Sequence, residues 1–103
     1  MKDLYIKKIA SILGVRDWQV ENTVQLFDDG ATVPFISRYR KERTGSLDEV
    51  AIAQIKHLSE DFGRMEKRKQ TILETIEAAG ALTGELARAI EECVEENVLE
   101  DLY

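Results

Sequence analysis

The chain has 103 residues, of which 44% are hydrophobic and 33% are charged, a composition typical of one soluble, helix-rich domain and not of a disordered segment. No apolar run approaches the roughly 20 residues of a membrane span, and the first five residues lack the apolar region of a secretory signal, so we expect a cytoplasmic protein without a membrane partner. A single cysteine and a single histidine exclude a disulfide framework and a Cys/His zinc cluster, and no cofactor is expected.

The charge is distributed unevenly along the chain, whose formal net charge is −6. Residues 1–43 have eight basic and six acidic side chains, residues 44–69 have five of each, and residues 70–103 have one basic and nine acidic side chains. Only the first part is therefore expected to face a phosphate backbone.

Two short helices are predicted within the first 30 residues. The first ends at Gly14, because glycine readily closes a helix in the left-handed conformation. The second begins with Asp17 as its N-cap, ends at Gly30, and has Trp18 as a core residue. The helical spacing predicts these apolar faces: Leu4, Ile9, Ile12 and Leu13 in the first helix, and Trp18, Val20, Val24 and Phe27 in the second.

A third helix is predicted from Thr32, its N-cap, to about Glu42, with Pro34 in its first turn and an end near Gly45. Its apolar face is expected to consist of Phe35, Ile36 and Tyr39, with Arg38 and Lys41 on the other side and Arg40 at the flank.

The candidate functional site is a group of four basic residues on and just after this third helix: Arg38, Arg40, Lys41 and Arg43. The second helix, the turn at residues 30–32 and the third helix have helix-turn-helix proportions, with the third helix in the recognition position. Side chains there can contact phosphate or base edges. The alternative interpretation is a solvated face, or pairing with carboxylates elsewhere in a larger protein.

One long helix is predicted over residues 47–79. A capping box formed by Ser46 and Glu49 starts it. Its apolar seam alternates spacings of four and three, is broken only by Lys69, and comprises Ala51, Ile55, Leu58, Phe62, Met65, Ile72, Ile76 and Ala79. Packing inside the domain is favoured over an intermolecular coiled coil, because the neighbouring helices also have apolar faces to bury.

A second basic group, Arg64, Lys67, Arg68 and Lys69, lies along the middle of this helix. It is interleaved with Glu60, Asp61 and Glu66, which is typical of an ion-paired, exposed helix surface. A track for phosphates is the alternative interpretation.

Gly80 ends the long helix, and Thr83 predicts the N-cap of a fifth helix that runs antiparallel to the second half of the long one. Its apolar face is Leu86, Ala89, Ile90, Cys93 and Val94. Asn97 is expected to cap a last turn whose apolar residues indicate a chain cut within a larger protein. The fold class is therefore all-α: a five- to six-helix domain with a helix-turn-helix-like N-terminal half and one long central helix packed against an antiparallel C-terminal helix.

Catalytic motifs are not found in the sequence. It has no glycine-rich phosphate loop, and no histidine is placed to pair with a serine or cysteine nucleophile. The acidic pairs at residues 91–92 and 95–96 are typical of a solvated helix surface. A non-enzymatic protein is expected.

Residues 30–50 closely resemble the N-terminal signature of the bacterial transcription accessory protein family, Tex. The closing residues 99–103 are similar to the family's segment that continues into a Leu-Pro-Tyr-Lys-Pro-Lys stretch. Departures are mild: Val33, Ser37, Arg43, Ser46 and Gly84 stand where the family usually has isoleucine, alanine, alanine, glycine and proline. The matching positions are Thr32, Pro34, Phe35, Ile36, Arg38, Tyr39, Arg40, Lys41, Glu42, Thr44, Gly45, Leu47, Asp48, Glu49 and Val50.

The resemblance implies that residues 1–103 are the N-terminal helical domain of a parent chain that also has a RuvC-like domain, helix-hairpin-helix elements and an S1-type OB-fold, to which nucleic-acid binding is largely attributed. The family is also related to a eukaryotic transcription elongation factor. For this chain the resemblance implies a non-catalytic scaffold that contacts the remaining domains or the transcription apparatus. The alternative is direct RNA or DNA contact through Arg38, Arg40 and Lys41.

Overall fold

The fold is entirely α-helical, as the sequence predicts. The computed structural model describes all of residues 1–103 and contains seven helices and no strand. None of these helices has both the length and the apolar character that crossing a membrane requires. The helices are α1 (Asp3–Leu13), α2 (Asp17–Asp28), α3 (Val33–Tyr39), α4 (Lys41–Thr44), α5 (Glu49–Ala78), α6 (Gly84–Glu91) and α7 (Glu96–Leu102).

The chain divides into two compact units, Met1–Glu60 and Asp61–Tyr103. We call them unit 1 and unit 2. Helix α5 contributes its first part to unit 1 and its remainder to unit 2.

Helix α1 of unit 1 buries a different set of side chains from the predicted one. Gly14 closes the helix in the left-handed conformation (φ 68°), as predicted. The apolar face was predicted wrongly at Ile12, whose side chain is 52% exposed. The buried face follows the 3.6-residue period but is shifted by part of a turn from the predicted one. It consists of Tyr5, Ile6, Ile9 and Ala10.

A cluster of three buried side chains from three helices joins α2, α3 and α5 within unit 1. Leu26, Ile36 and Ile52 are each at most 5% exposed. Four partly buried side chains pack against them: Phe27, Ala31, Val33 and Leu47. Burial of a Leu or Ile side chain stabilises a fold by about 1.5–3 kcal/mol, so this cluster fixes the turn between α2 and α3 against the start of the long helix.

The start of α5 differs from the predicted capping box. Ser46 has a left-handed backbone (φ 64°) and cannot act as the N-cap. The cap is Asp48, whose Oδ1 accepts from the Ala51 N–H at 2.8 Å. The helix then runs without interruption through Gly63 to Ala78, one residue short of the predicted end.

The seam of α5 is buried inside the chain, although its members differ in depth. Ile55, Phe62, Lys69 and Ile72 are buried, as is Ile52 beside them. The other members of the seam are half-buried, except Ala79, which is exposed and lies beyond the helix: Ala51, Leu58, Met65 and Ile76.

The core of unit 2 consists of four buried side chains. They are Ile72 of α5, Ile90 of α6, Leu99 of α7, and Cys93 between α6 and α7. Helix α6 begins as predicted, with the Thr83 hydroxyl accepting from the Leu86 N–H at 3.1 Å. Two details of the prediction were wrong. Ala89 is exposed, and α7 starts at Glu96 after Glu95, so Asn97 lies within the helix and is not its cap.

Lys69 is fully buried in unit 2. Its Nζ donates to the carbonyl oxygens of Glu91 at 2.9 Å and Cys93 at 2.5 Å. The last carbonyls of a helix have no partner within the helix, and here the end of α6 obtains one from α5. Lys69 interrupts the apolar seam because its ammonium group, not an apolar side chain, terminates α6.

We expect the Lys69→Met substitution to lower the free energy of unfolding by about 2 kcal/mol, because it leaves buried carbonyls without a donor. Urea denaturation followed by circular dichroism measures this. Lys67→Met, at an exposed position of the same helix, is the control and should change stability little. A Lys69→Met variant as stable as the control would show that desolvation of the ammonium group cancels its hydrogen bonds.

Candidate nucleic-acid interface

The predicted order of helix, turn and helix is present in unit 1 as α2, residues 29–32 and α3. Gly30 supplies a left-handed backbone (φ 91°) in the turn. The Thr32 hydroxyl then accepts from the Phe35 N–H at 3.3 Å and caps α3, with Pro34 in the first turn, as predicted.

The third predicted helix is divided into two at Arg40. Its backbone (φ −129°, ψ 34°) lies outside the helical region, so α3 ends at Tyr39 and a separate four-residue helix, α4, follows. The prediction of one helix to Glu42 was therefore wrong. Gly45 closes α4 with a left-handed backbone (φ 67°).

Helix α4 is held in place by two side-chain amides of α2. Gln19 Nε2 donates to the carbonyl oxygens of Thr44 at 2.9 Å and Gly45 at 3.4 Å. Asn22 Nδ2 donates to the carbonyl oxygen of Arg43 at 2.9 Å. Gln19 also accepts from the Arg16 N–H at 3.0 Å through Oε1, so one side chain links the start of α2 to the end of α4.

The predicted core position of Trp18 was wrong. The side chain is 49% exposed and lies beside the turn that ends α4. A Cβ atom added at Gly45 would be 2.7 Å from Trp18 Cη2 and 2.6 Å from Gln19 Nε2. The residue at position 45 is therefore confined to glycine by both its backbone conformation and this close approach.

The four basic residues of the candidate site lie on a short stretch of chain and have no carboxylate partner. Arg38 and Lys41 are exposed, whereas Arg40 and Arg43 are half-buried. None of the four forms an ion pair in the structure. Arg40 instead donates from Nη1 to the Tyr39 carbonyl oxygen at 2.9 Å. Their charges are thus available to an external anion.

Two aromatic side chains that were predicted to be buried lie at the surface beside these cations. Only Ile36 of the predicted apolar face is buried; Phe35 is 40% exposed and Tyr39 is 61% exposed. Their ring centroids are 5.3 Å apart. The Arg40 Cζ lies 5.0 Å from the Phe35 ring centroid, a distance at which a guanidinium is attracted to the ring face.

An open groove of about 520 Å³ lies beside Phe35, Arg40 and Arg43. We call it the α2–α4 groove, because its walls come from the end of α2, the following turn, α3 and α4. Its lining combines apolar side chains with three charged ones: Leu26, Ala31, Phe35, Asp29, Arg40 and Arg43. The groove has the mixture of apolar surface and cationic groups that an anionic ligand with a flat apolar part requires.

Comparison with known proteins decides the family. The family model of the Tex-like protein N-terminal domain matches residues 3–77. The chain belongs to this family.

The Tex-like chain is similar to longer curated proteins. It is 42% identical over its whole length to Protein YhgF of Escherichia coli K12, of which it spans 13%. It is 44% identical over 85 residues, 82% of the chain, to the Transcriptional accessory protein Tex of Neisseria gonorrhoeae, of which it spans 11%. It is 26% identical over 88 residues, 85% of the chain, to the human S1 RNA-binding domain-containing protein 1, of which that stretch is 9%.

Two arginines of the second basic group, in unit 2 of this Tex-like chain, have acidic partners. Arg64 pairs with Asp61. Arg68 donates to both carboxylate oxygens of Glu100, at 2.7 Å and 2.9 Å, a bidentate arrangement that is stronger than a single contact. Lys67 is exposed.

The ion pair between Arg68 and Glu100 shifts the pKa values of both side chains. The hydrogen bond from Arg68 holds the pKa of the Glu100 carboxyl below its usual value, and the same bond raises the pKa of Arg68. The Arg68 Cζ also lies 5.3 Å from the ring centroid of Tyr103. Arg68 is therefore already engaged by a carboxylate and an aromatic ring.

Gln19 and Asn22 are positioning residues for α4 that the sequence reasoning missed. Their spacing of three residues on α2 placed them on one face, but nothing in the sequence indicated that their partners would be main-chain carbonyls more than 20 residues away.

We expect Asn22→Ala to lower the free energy of unfolding by about 1 kcal/mol, because the Arg43 carbonyl loses its donor. Urea denaturation measures this, and hydrogen exchange of the α4 amides should become faster than in the parent chain. Gln25→Ala, at an exposed position of the same helix, is the control. Equal effects of the two substitutions would contradict a role for Asn22 in holding α4.

Proposed function

We propose that residues 1–103 form the N-terminal domain of a longer transcription accessory protein and serve there as a non-catalytic scaffold and interaction module. Membership of the Tex-like family supports this, as does the name of the Neisseria relative. The chain spans about an eighth of the length of such relatives, so most of each relative lies outside the part it matches.

The observation that carries the scaffold role is an exposed apolar surface of unit 1. It lies where the end of α1 and the beginning of α5 form an open depression of about 520 Å³. Val50 is 68% exposed and Ile12 is 52% exposed. Its lining contains no Lys, Arg, Asp or Glu: Ile12, Leu13, Val50, Ala53, Gln54, His57 and Leu58. We call it the α1–α5 surface.

The occupant we propose for the α1–α5 surface is an apolar segment from the remainder of the parent chain. A mostly aliphatic lining without Lys, Arg, Asp or Glu gains little from a charged partner and much from removing apolar area from water. A segment of the same polypeptide is present at a high effective concentration, so even a small apolar contact holds the two parts together.

The scaffold role predicts that Val50→Asp and Ile12→Asp raise the Kd between this chain and the separately produced remainder of its parent protein at least tenfold, roughly 1.4 kcal/mol. Isothermal titration calorimetry measures the Kd. Val98→Asp replaces another exposed valine, 43% exposed on α7, and is the matched control. Unchanged affinity in both α1–α5 variants would refute docking at this surface.

A second candidate function, direct contact with RNA or DNA, is favoured by one observation. Arg38, Arg40, Lys41 and Arg43 lack carboxylate partners, although acidic residues outnumber basic ones in the chain as a whole. Cations without partners beside a short helix suit phosphate contact, which contributes most of the affinity of non-specific binding.

This candidate predicts a measurable salt dependence. Each of Arg38→Glu and Lys41→Glu should weaken binding of labelled RNA or DNA and reduce the slope of log K against log salt by about 1. Fluorescence anisotropy at several salt concentrations measures both. Lys56→Glu, at an exposed position of α5, should have a smaller effect. Absence of binding at low salt would eliminate direct contact and leave the scaffold role alone.

A further inference from the structure

The α2–α4 groove contains a preformed stack of an aromatic ring and a guanidinium group. Arg40 is folded back over Phe35, with Cζ 5.0 Å from the ring centroid, and its Nη1 is tied to the Tyr39 carbonyl oxygen at 2.9 Å. The Tyr39 ring packs beside the Phe35 ring at an interplanar angle of 50°. Three flat groups are thus held together at the surface before any ligand binds.

We propose that this groove, together with the neighbouring Tyr39 and Arg38, binds a nucleobase of a single-stranded nucleic acid, which stacks on the Phe35, Tyr39 and Arg40 group while Arg43 and Arg38 contact the adjoining phosphates. This inference rests on the second proposed function, direct nucleic-acid contact, and specifies the form of nucleic acid and the part of it that is recognised.

The conformation of Arg40 favours an unpaired base over a duplex. Reading a base edge in the major groove requires an extended, bidentate arginine, whereas the Arg40 side chain is folded onto Phe35 and bonded to its neighbour's carbonyl. Bases of single strands are free to stack on aromatic rings and guanidinium planes. Helix α3 also has only seven residues, and two of them, Val33 and Ile36, are used for core packing.

Asp29 favours a nucleotide over a free phosphate ion. Asp29 lines the same groove as Arg40 and Arg43. A carboxylate repels phosphate at close range but accepts hydrogen bonds from the amino groups of bases. A ligand with a neutral, flat, hydrogen-bonding part and a separate charged part satisfies both kinds of side chain.

The test measures binding of labelled probes by residues 1–103 at low salt, using fluorescence anisotropy. The probes are an oligocytidylate of about ten nucleotides, an abasic oligomer with the same number of phosphates, and a duplex of the same length. We expect the oligocytidylate to bind more tightly than the other two. Tyr39→Ala and Phe35→Leu should each raise its Kd roughly fivefold or more, and leave the Kd of the abasic oligomer unchanged.

Tyr103→Ala is the matched control. Tyr103 is 56% exposed and also has an arginine over its ring, Arg68 at 5.3 Å, but this arginine is paired with Glu100. Binding should not change in this variant. Circular dichroism and thermal unfolding establish that each variant folds; Tyr39, being the more exposed of the two aromatic residues, is the position where a loss of fold is least expected.

Three outcomes overturn the inference. The first is that the Tyr39→Ala and Phe35→Leu variants both bind oligocytidylate as tightly as the wild-type chain, which contradicts a base site. The second is that the wild-type chain binds the abasic oligomer or the duplex as tightly as oligocytidylate, or more tightly. If Arg38→Glu still weakens binding in either case, direct nucleic-acid contact stands without base recognition. If no probe binds at low salt, both direct contact and base recognition fail, and the scaffold role is unaffected.

Discussion

The placement of the basic residues in unit 1 depends on two side-chain amides that satisfy the end of a four-residue helix. A helix of four residues is too short to be stable alone, and its last carbonyls have no partner within it. Gln19 and Asn22 supply donors to three successive carbonyls at residues 43–45. Because α2 is anchored by the buried cluster of unit 1, these bonds transfer its rigidity to α4. The cations on either side of the break at Arg40 are thereby fixed.

Unit 2 solves a similar problem with a different group. Helix α6 has eight residues, and the carbonyls at and beyond its end accept from the buried Lys69 ammonium. An ammonium group has three donors and no acceptor, so it serves two carbonyls at once. Its burial is costly unless its donors are used. In both units, therefore, side chains of a longer helix donate to the carbonyls at the end of a shorter one.

Much of the helical framework was predictable because it depends on local chemistry. The caps at Thr32 and Thr83 and the glycine end of α1 involve atoms within a few residues of each other, and a short window of sequence contains them. The long α5 was predictable because its apolar residues repeat over many turns. The family resemblance in residues 30–50 added the identity of the domain, which periodicity alone does not contain.

These errors fall where the deciding contact lies outside the helix that is being predicted. The capping box was assigned to Ser46, but the preceding helix ends in a turn that gives Ser46 a left-handed backbone and leaves Asp48 to cap α5. The third helix is divided at Arg40, and the carbonyls at the end of the α4 that follows are held from α2, more than 20 residues away. Phe35 and Tyr39 were assigned to the core because a helical wheel does not show that Ile36 and Val33 are the α3 side chains that pack against Leu26 and Ile52.

The supply of carboxylates decides which arginines remain available. The same arrangement, an arginine over an aromatic ring, occurs once in each unit: Arg40 with Phe35, and Arg68 with Tyr103. In unit 2 a bidentate bond to Glu100 engages the guanidinium, in a region where acidic residues are abundant. In unit 1 no carboxylate pairs with Arg40. A cation that has not already been neutralised attracts an anion more strongly, and the uneven charge along the chain leaves Arg40 without the carboxylate that Arg68 has.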